Sequence, residues 1–176
     1  MSLRRILEIA LASVLIHMPA MAQEAAERPQ ITLGNGSANM IQIDGMTRQV
    51  EPDAVTHIRI DGDQPTLMRA NAISITFARV LAADAGWLVL HPIIDGKPDG
   101  DIVSGFAQVE AGENSEVTIR MQHPASAGDK YLVMLHRDVS QDRVFDFVFV
   151  ADGINVEDTA VFEGKRMIAH LIALPD

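Results

Sequence analysis

"YLVMLHRDVSQDRVFDF", residues 131 to 147, holds two apolar runs joined by a polar stretch. A β-strand turns successive side chains to opposite faces. On that period Leu132, Met134, His136 and Asp138 share one face, and Tyr131, Val133, Leu135 and Arg137 the other. In the second run Phe145, Phe147 and Phe149 share a face, with Asp146 opposite. A carboxylate inside an apolar strand needs a donor, and Arg137, Arg143 or a backbone N–H are the candidates for Asp146.

The same pattern extends outward in both directions. "MIQIDGMTRQV" (40–50) and "VTHIRIDGDQPT" (55–66) alternate, with hairpin dipeptides at Asp44-Gly45 and Asp61-Gly62. "AISITFARVL" (72–81) places Ile73, Ile75 and Phe77 on one face. "GWLVLHPII" (86–94) is almost wholly apolar, as a central strand buried on both faces should be. "DGKPDGD" (95–101) is a turn. Residues 102–121 read as strand, Gly-Glu-Asn turn, strand, and 130–138, 143–150 and 165–174 as further strands. About nine short strands and no second helical pattern point to an all-β domain. The expected architecture is a two-sheet immunoglobulin-like sandwich with Greek-key connections, after an N-terminal signal helix. A closed barrel is the alternative.

The chain has 176 residues, 48% of them hydrophobic, enough for one domain with a sizeable core. Its formal net charge of −10 repels phosphate backbones and anionic lipid, so neither nucleic acid nor a membrane surface is an expected partner. The absence of cysteine excludes disulfides, thiolate metal sites and thiol catalysis. "MSLRRILEIALASVLIHMPAMA" has the parts of a secretory signal: Arg4 and Arg5, a short apolar run, and Ala20-Met21-Ala22 as the cleavage pattern. The expected organisation is a signal peptide at 1–22, a solvated leader at 23–30 and one domain at 31–174. The expected location is the periplasm or the exterior, with no membrane span once the signal is cleaved.

Several short motifs follow one another: Gly86-Trp87-Leu88-Val89-Leu90-His91, Ala111-Gly112-Glu113, Met134-Leu135-His136-Arg137-Asp138, Phe145-Asp146-Phe147 and Asp152-Gly153. In order and spacing they resemble a secreted β-sandwich domain of unknown function from archaeal and bacterial surface or periplasmic proteins. The resemblance covers about residues 72–174. It implies an immunoglobulin-like, exported domain and no particular activity. One departure concerns the turn after "MLHRD", where "VSQDR" stands in place of a glycine-bearing segment.

Strand parity puts His91 on a face with Trp87 and Val89, as it puts His136 with Asp138. If their strands are neighbours, His91, His136, Asp138 and Asp146 gather near one sheet end. That set reads as a metal site of His91, His136 and Asp138, or as a polar pair of His136 with Asp146. The competing reading is a set of buried histidines that fix strand register. Met121-Gln122-His123 and Met134-Leu135-His136 each place a thioether and an imidazole on one face, a pairing that suits copper. Zinc and calcium are further candidates, but "DGKPDGD" fails as an EF-hand because Lys97 and Phe106 occupy ligand positions. An irregular calcium loop helped by Asp61 and Asp63 stays open. No Gly-x-Ser-x-Gly occurs, and Ser140 lies too close in sequence to His136 and Asp138 for a relay.

These residues lead to an exported, non-catalytic binding or structural module without a cofactor. Its partner is a protein or a cell-envelope polymer. The alternative is periplasmic handling of copper or zinc through His, Met and Asp side chains.

Overall fold

The computed structural model describes residues 30–61, 64–146 and 157–176. The expected signal peptide and the end of the second apolar run, from residue 147, lie outside the described residues. The described chain is all-β and contains no helix. In chain order its strands are β1 (Thr32–Leu33), β2 (Met40–Ile41), β3 (Thr47–Asp61), β4 (Gln64–Ala82), β5 (Gly86–Ile94), β6 (Lys97–Pro98) and β7 (Gly105–Val109). They continue with β8 (Gly112–Arg120), β9 (Lys130–Asp138), β10 (Asp158–Ala160), β11 (Phe162–Glu163), β12 (Arg166–Met167) and β13 (Ala169–Ala173).

β4 organises the first sheet. β8 pairs with its C-terminal half on one side, from Ser74↔Arg120 to Ala82↔Gly112. β3, and further along β2, occupy the other side. In the second sheet β9 pairs with β5 on one edge and with β13 and β10 on the other. β5 carries β7 and β6 on its far edge. Ile41, Ile73, Ile75, Phe77 and Ile119 from the first sheet share one apolar core with Leu88, Leu90, Val133 and Leu135 from the second. Both β5 and β9 are therefore covered on their inner faces, as their near-continuous apolar sequences require.

Three expectations need correction. The 40–50 stretch is not a hairpin of its own, whereas 55–66 closes as one, with Asp61 paired to Gln64. Asp44-Gly45 joins β2 to β3, which run along the same edge of β4, and β3 continues through Pro52. Pro52 and Asp53 form part of a bulge there, between the Glu51 and Ala54 pairs, with Asp53 at φ 54°. Proline survives because this is an edge strand with no outer ladder to feed. The turn between β7 and β8 falls at Glu110-Ala111, ahead of the expected Gly-Glu-Asn, and it carries the chain from one sheet to the other. The expected strand at 165–174 is broken. β11 and β12 make a tiny hairpin, and β12 pairs in parallel with β1 before β13 resumes on β9.

Residues 31–70, outside the resemblance, are thus built into the fold in two ways. The segment before β2 is held by Glu163, whose carboxylate accepts bonds from the backbone N–H groups of Ser37, Ala38 and Asn39 at 2.7–3.0 Å and from both their side chains where they have donors. The Ser37 amide and the Asn39 side chain lead in lowering that carboxyl to about 2. A Cβ at Gly36 would meet the Glu163 carboxylate, so a side chain there would displace this clamp. The distal halves of β3 and β4 behave differently. From Ala54↔Ala70 to Asp61↔Gln64 they form a two-stranded ribbon that runs past the core.

Candidate functional site

The outer face of the second sheet holds the chemistry. β5 and β9 pair with Trp87 opposite His136, Val89 opposite Met134 and His91 opposite Leu132. His91 and His136 are therefore separated along the sheet by the Val89–Met134 pair, all on one face. Both side chains lean across that pair until their ring centroids are 5.6 Å apart and their Nε2 atoms 3.5 Å apart. They are 0% and 2% exposed, so nothing of this meeting point is open to water.

Each imidazole is anchored through its other nitrogen. His91 Nδ1 donates to the Ile102 carbonyl and His136 Nδ1 to the Asp158 carbonyl, both at 2.8 Å. A carbonyl accepts only, so both rings carry their proton on Nδ1. Burial lowers the pKa of both. His136 falls to about 4, with the neighbouring His91 adding to the effect.

Beside the histidines lies a carboxyl pair. Asp158, fully buried, accepts from Trp87 Nε1 at 2.8 Å on one oxygen and from the Asp146 amide at 2.7 Å on the other. Loss of water, and then the Asp146 carboxyl beside it, raise Asp158 to about 6. Asp146 Oδ1 is buried with no hydrogen-bond partner. Neither arginine expected for Asp146 serves it. Arg137 points to the opposite face, 3.8 Å from Asp84, and Arg143 reaches Glu110 at 3.1 Å. Residues 143–146 carry no strand ladder; the Arg143, Val144 and Asp146 amides donate to the Asp138, Asp142 and Asp158 carboxylates. Aromatic rings roof this side: Phe145 stacks on Phe106 at 4.1 Å, and both meet Trp87 edge-on.

The expected polar pair of His136 with Asp146 is thus organised through Asp158. Both bond to that residue, one through its carbonyl and one through its carboxylate. Asp138 is placed elsewhere. Its carboxylate accepts from Ser140 Oγ and from the Gln141 and Arg143 amides at 2.7–3.1 Å. Burial pushes its pKa up, but these bonds outweigh it and the net shift is downward. This cap explains how "VSQDR" turns without glycine. Gln141 and Arg143 take φ of 58° and 63°, and the Asp138 carboxylate holds their amides in that left-handed conformation. The hydroxyl of Ser140 is committed to the same cap. Of the other Met-x-His pair, Met121 is buried in the main core while His123 is exposed in a loop, so strand parity does not bring them together. In "DGKPDGD" the Asp99 carboxylate accepts from the Asp101 amide at 3.0 Å, as in a simple turn, and Asp63 lies outside the described residues. No group of three or more His, Cys, Asp or Glu among the described residues is arranged to hold a metal ion.

DUF7282, described as a domain of unknown function, matches residues 67–169. The chain belongs to this family. No curated protein and no solved structure matches it. The DUF7282 segment begins within the distal part of β4 and ends at the start of β13, so it contains His91, His136, Asp146 and Asp158. β1 to β3 lie outside it. The expected resemblance to a domain of unknown function therefore agrees with the family and covers nearly the same residues.

Asp158 is the residue that sequence reasoning missed. It stands in "NVEDTAV", among polar neighbours, with no motif around it. The available signal was indirect: a tryptophan at the start of a buried strand needs an acceptor for its indole N–H.

Proposed function

We propose that this DUF7282 protein is an exported, non-catalytic assembly module with an immunoglobulin-like two-sheet architecture, and that it pairs with a second copy of itself through the β3–β4 ribbon. The observation that carries this reading is the ribbon's apolar face. Ile58, Ile60 and Leu67 are 63%, 72% and 53% exposed. The register places Ile58 opposite Leu67 and Ile60 opposite Pro65, so the four form one patch. Arg59, Thr66 and Met68 take the other face. A two-stranded ribbon in water is marginal without a cover on its apolar side.

A second copy is always at hand to supply that cover. Two-fold pairing brings the same patch to both sides of a contact. The bulges at Glu51–Ala54 and Val55–His57 interrupt the free edge of β3, which favours contact through the face over addition of a strand to the edge. Residues 47–71 contain no aromatic side chain, so a sugar polymer finds no stacking platform there. The face leads into a cleft of about 460 Å³ at the ribbon's base, lined by Thr56, Asn71, Ile73, Arg120 and His123.

The non-catalytic part of the reading is supported by how the polar groups are used. The two histidines, Trp87 and Asp158 are buried and bonded to the fold itself. Export is supported by the signal-like start of the sequence. Sedimentation velocity tests the assembly. The expected result is a dimer that Ile58→Lys with Leu67→Lys converts to a folded monomer. A wild-type protein still monomeric near ~1 mM, where any contact would be worth less than about 4 kcal/mol, would refute the pairing.

A further inference from the structure

A separate site is formed where the ribbon leaves the core, and it stands whether or not the ribbon pairs. β8 stops at Arg120, opposite Ser74, while β4 runs on from there into the ribbon. On its other edge β4 meets a bulge, where Pro52 and Asp53 stand against Asn71 between the Glu51–Ala72 and Ala54–Ala70 pairs. A second bulge leaves Thr56 without a register partner between Val55 and His57. Bulges interrupt a ladder and re-aim side chains. The step left between the end of β8 and the ribbon is the cleft of about 460 Å³. Beyond Arg120 the chain is tied down by Met121 N–H, which donates to the Ile73 carbonyl, and by Gln122 N–H, which donates to the Ser104 carbonyl, both at 2.8 Å. Ala72, Ile73 and Met121 line the cleft and are buried, which gives it an apolar base.

The charge of this cleft runs against the rest of the chain. Asp and Glu outnumber Lys and Arg by 24 to 14. Yet no Asp or Glu is among the described residues that line it, while Arg120 and His123 are. Four other arginines are matched with acids: Arg69 with Asp53, Arg79 with Glu113, Arg137 with Asp84 and Arg143 with Glu110. Arg120 is exposed, and its side chain makes no ion pair or hydrogen bond among the described residues. The same holds for the side chains of Asn71, Gln122 and His123.

We propose that this cleft binds one small organic carboxylate, with Arg120 as its charge partner and Asn71, Gln122 and His123 completing its hydrogen bonds. A guanidinium presents a planar fork of N–H donors that fits a carboxylate through two parallel bonds. The two amide side chains offer both donors and acceptors, which suits an amide or hydroxyl elsewhere on the same molecule. The apolar base suits an aliphatic body, the usual division of labour in a small-molecule site. Phosphate fits less well. It carries about two charges near neutral pH, one guanidinium offsets one of them, and the net charge of −10 repels the rest. No Phe, Tyr or Trp lines the cleft, so a nucleobase finds nothing to stack on. A free acid and the C-terminus of a short peptide are two sources of the same chemistry.

The probes are N-acetyl-leucine and N-acetyl-alanyl-alanyl-leucine, with N-acetyl-leucine amide as the uncharged control and inorganic phosphate as the competing anion. Amide chemical shifts of the isotopically labelled full chain are followed through each titration. The expected outcome is a saturable shift centred on residues 70–73 and 120–123, half complete at or below ~10 mM. Removing the charge from the probe should weaken binding about 10-fold, and Arg120→Gln should weaken N-acetyl-leucine by a similar factor. The uncharged control should bind Arg120→Gln as it binds the wild type, because the lost partner is the charge. Equal binding of the two acids supports the proposal with a free acid as the source, and tighter binding of the tripeptide supports it with a peptide end. The comparison of acid with amide uses the wild type alone and stands if the variant fails to fold. No saturable shift with either acid, shifts centred elsewhere, equal binding of N-acetyl-leucine and its amide, or unchanged binding in folded Arg120→Gln each overturns the proposal. Phosphate bound more tightly than both acids overturns the choice of a carboxylate.

Discussion

Two regions of this molecule place their side chains against the usual rule. On the outer face of the second sheet, two histidines, a tryptophan N–H and the Asp158 carboxyl are sealed from water. On the distal β3–β4 ribbon, Ile58, Ile60 and Leu67 stand in it. β4 runs from the main core into that ribbon within one strand. Its odd-numbered residues Ile73, Ile75 and Phe77 lie in the core, and Leu67 continues the same face beyond the core's edge. The lesson is that alternation specifies a face and not its cover. A buried polar face must be satisfied from within, and here backbone carbonyls and amides do most of that. An exposed apolar face must be satisfied from outside.

The largest effect should come from breaking the sealed region at its backbone. A Cβ on Gly86 would sit 2.1 Å from the His136 carbonyl oxygen and 2.9 Å from the Arg137 Cα. Neither can move without separating β5 from β9. Gly86→Ala is expected to cost about 3 kcal/mol or more, read as a lowered midpoint in urea denaturation. Asp158→Ala comes next. It strands the buried Trp87 indole N–H, whose loss of a partner costs about 1–3 kcal/mol, and the half-buried Asp146 amide, which adds less. A destabilisation below about 1 kcal/mol would mean that the carboxylate is not the acceptor described here.

pH sharpens the comparison further. His136 binds its proton near 6.5 when unfolded and near about 4 when folded, so its contribution falls as pH drops through that window. Asp158 runs the other way. Its folded pKa of about 6 lies above its ordinary 3.8, so stability from this group rises as pH drops from about 6 to about 4. In the wild type the two slopes oppose each other. His136→Gln should leave a protein that gains stability on acidification over that range, and Asp158→Asn one that loses it. Urea midpoints measured between pH 4 and 7 check both signs.

The open region should respond in the opposite manner. Ile58→Lys with Leu67→Lys is expected to change monomer stability by less than about 0.5 kcal/mol, while self-association is lost. Equal losses of both would make the ribbon part of the core. The smallest effect is local. Glu163→Gln should speed amide hydrogen exchange at Ser37, Ala38 and Asn39 and leave the β5–β9 amides unchanged. Because the Glu163 carboxyl is lowered to about 2, the clamp is present above its ordinary 4.5 and is lost as pH falls through about 2.

Much of the fold is legible because its period is local. β5 and β9 start and end where the apolar runs of 86–94 and 130–138 do, and the parity that pairs His91 with Trp87 and His136 with Met134 needs no tertiary knowledge. What sequence cannot supply is the lean of a side chain along the sheet. Four residues of offset separate His91 from the residue opposite His136, and only the tilt of both rings over Val89 and Met134 closes it. The 143–146 segment was misread for a related reason. Phenylalanine alternation suggests a strand, yet the Arg143, Val144 and Asp146 amides are taken by the carboxylates of Asp138, Asp142 and Asp158. β10, β11 and β12, two or three residues each, are too short to show any period.

The pairing of β1 with β12 joins residues 32–33 to 166–167, and Glu163 grips 37–39 across a similar span. Contacts of such high sequence separation form late, since the loop between them must close first. For a chain delivered N-terminus first from a ribosome, β1 has no partner until residues 166–167 emerge. Glu163 and β12 then act as a latch, and a chain truncated before Glu163 would lose it while keeping most of its core sequence.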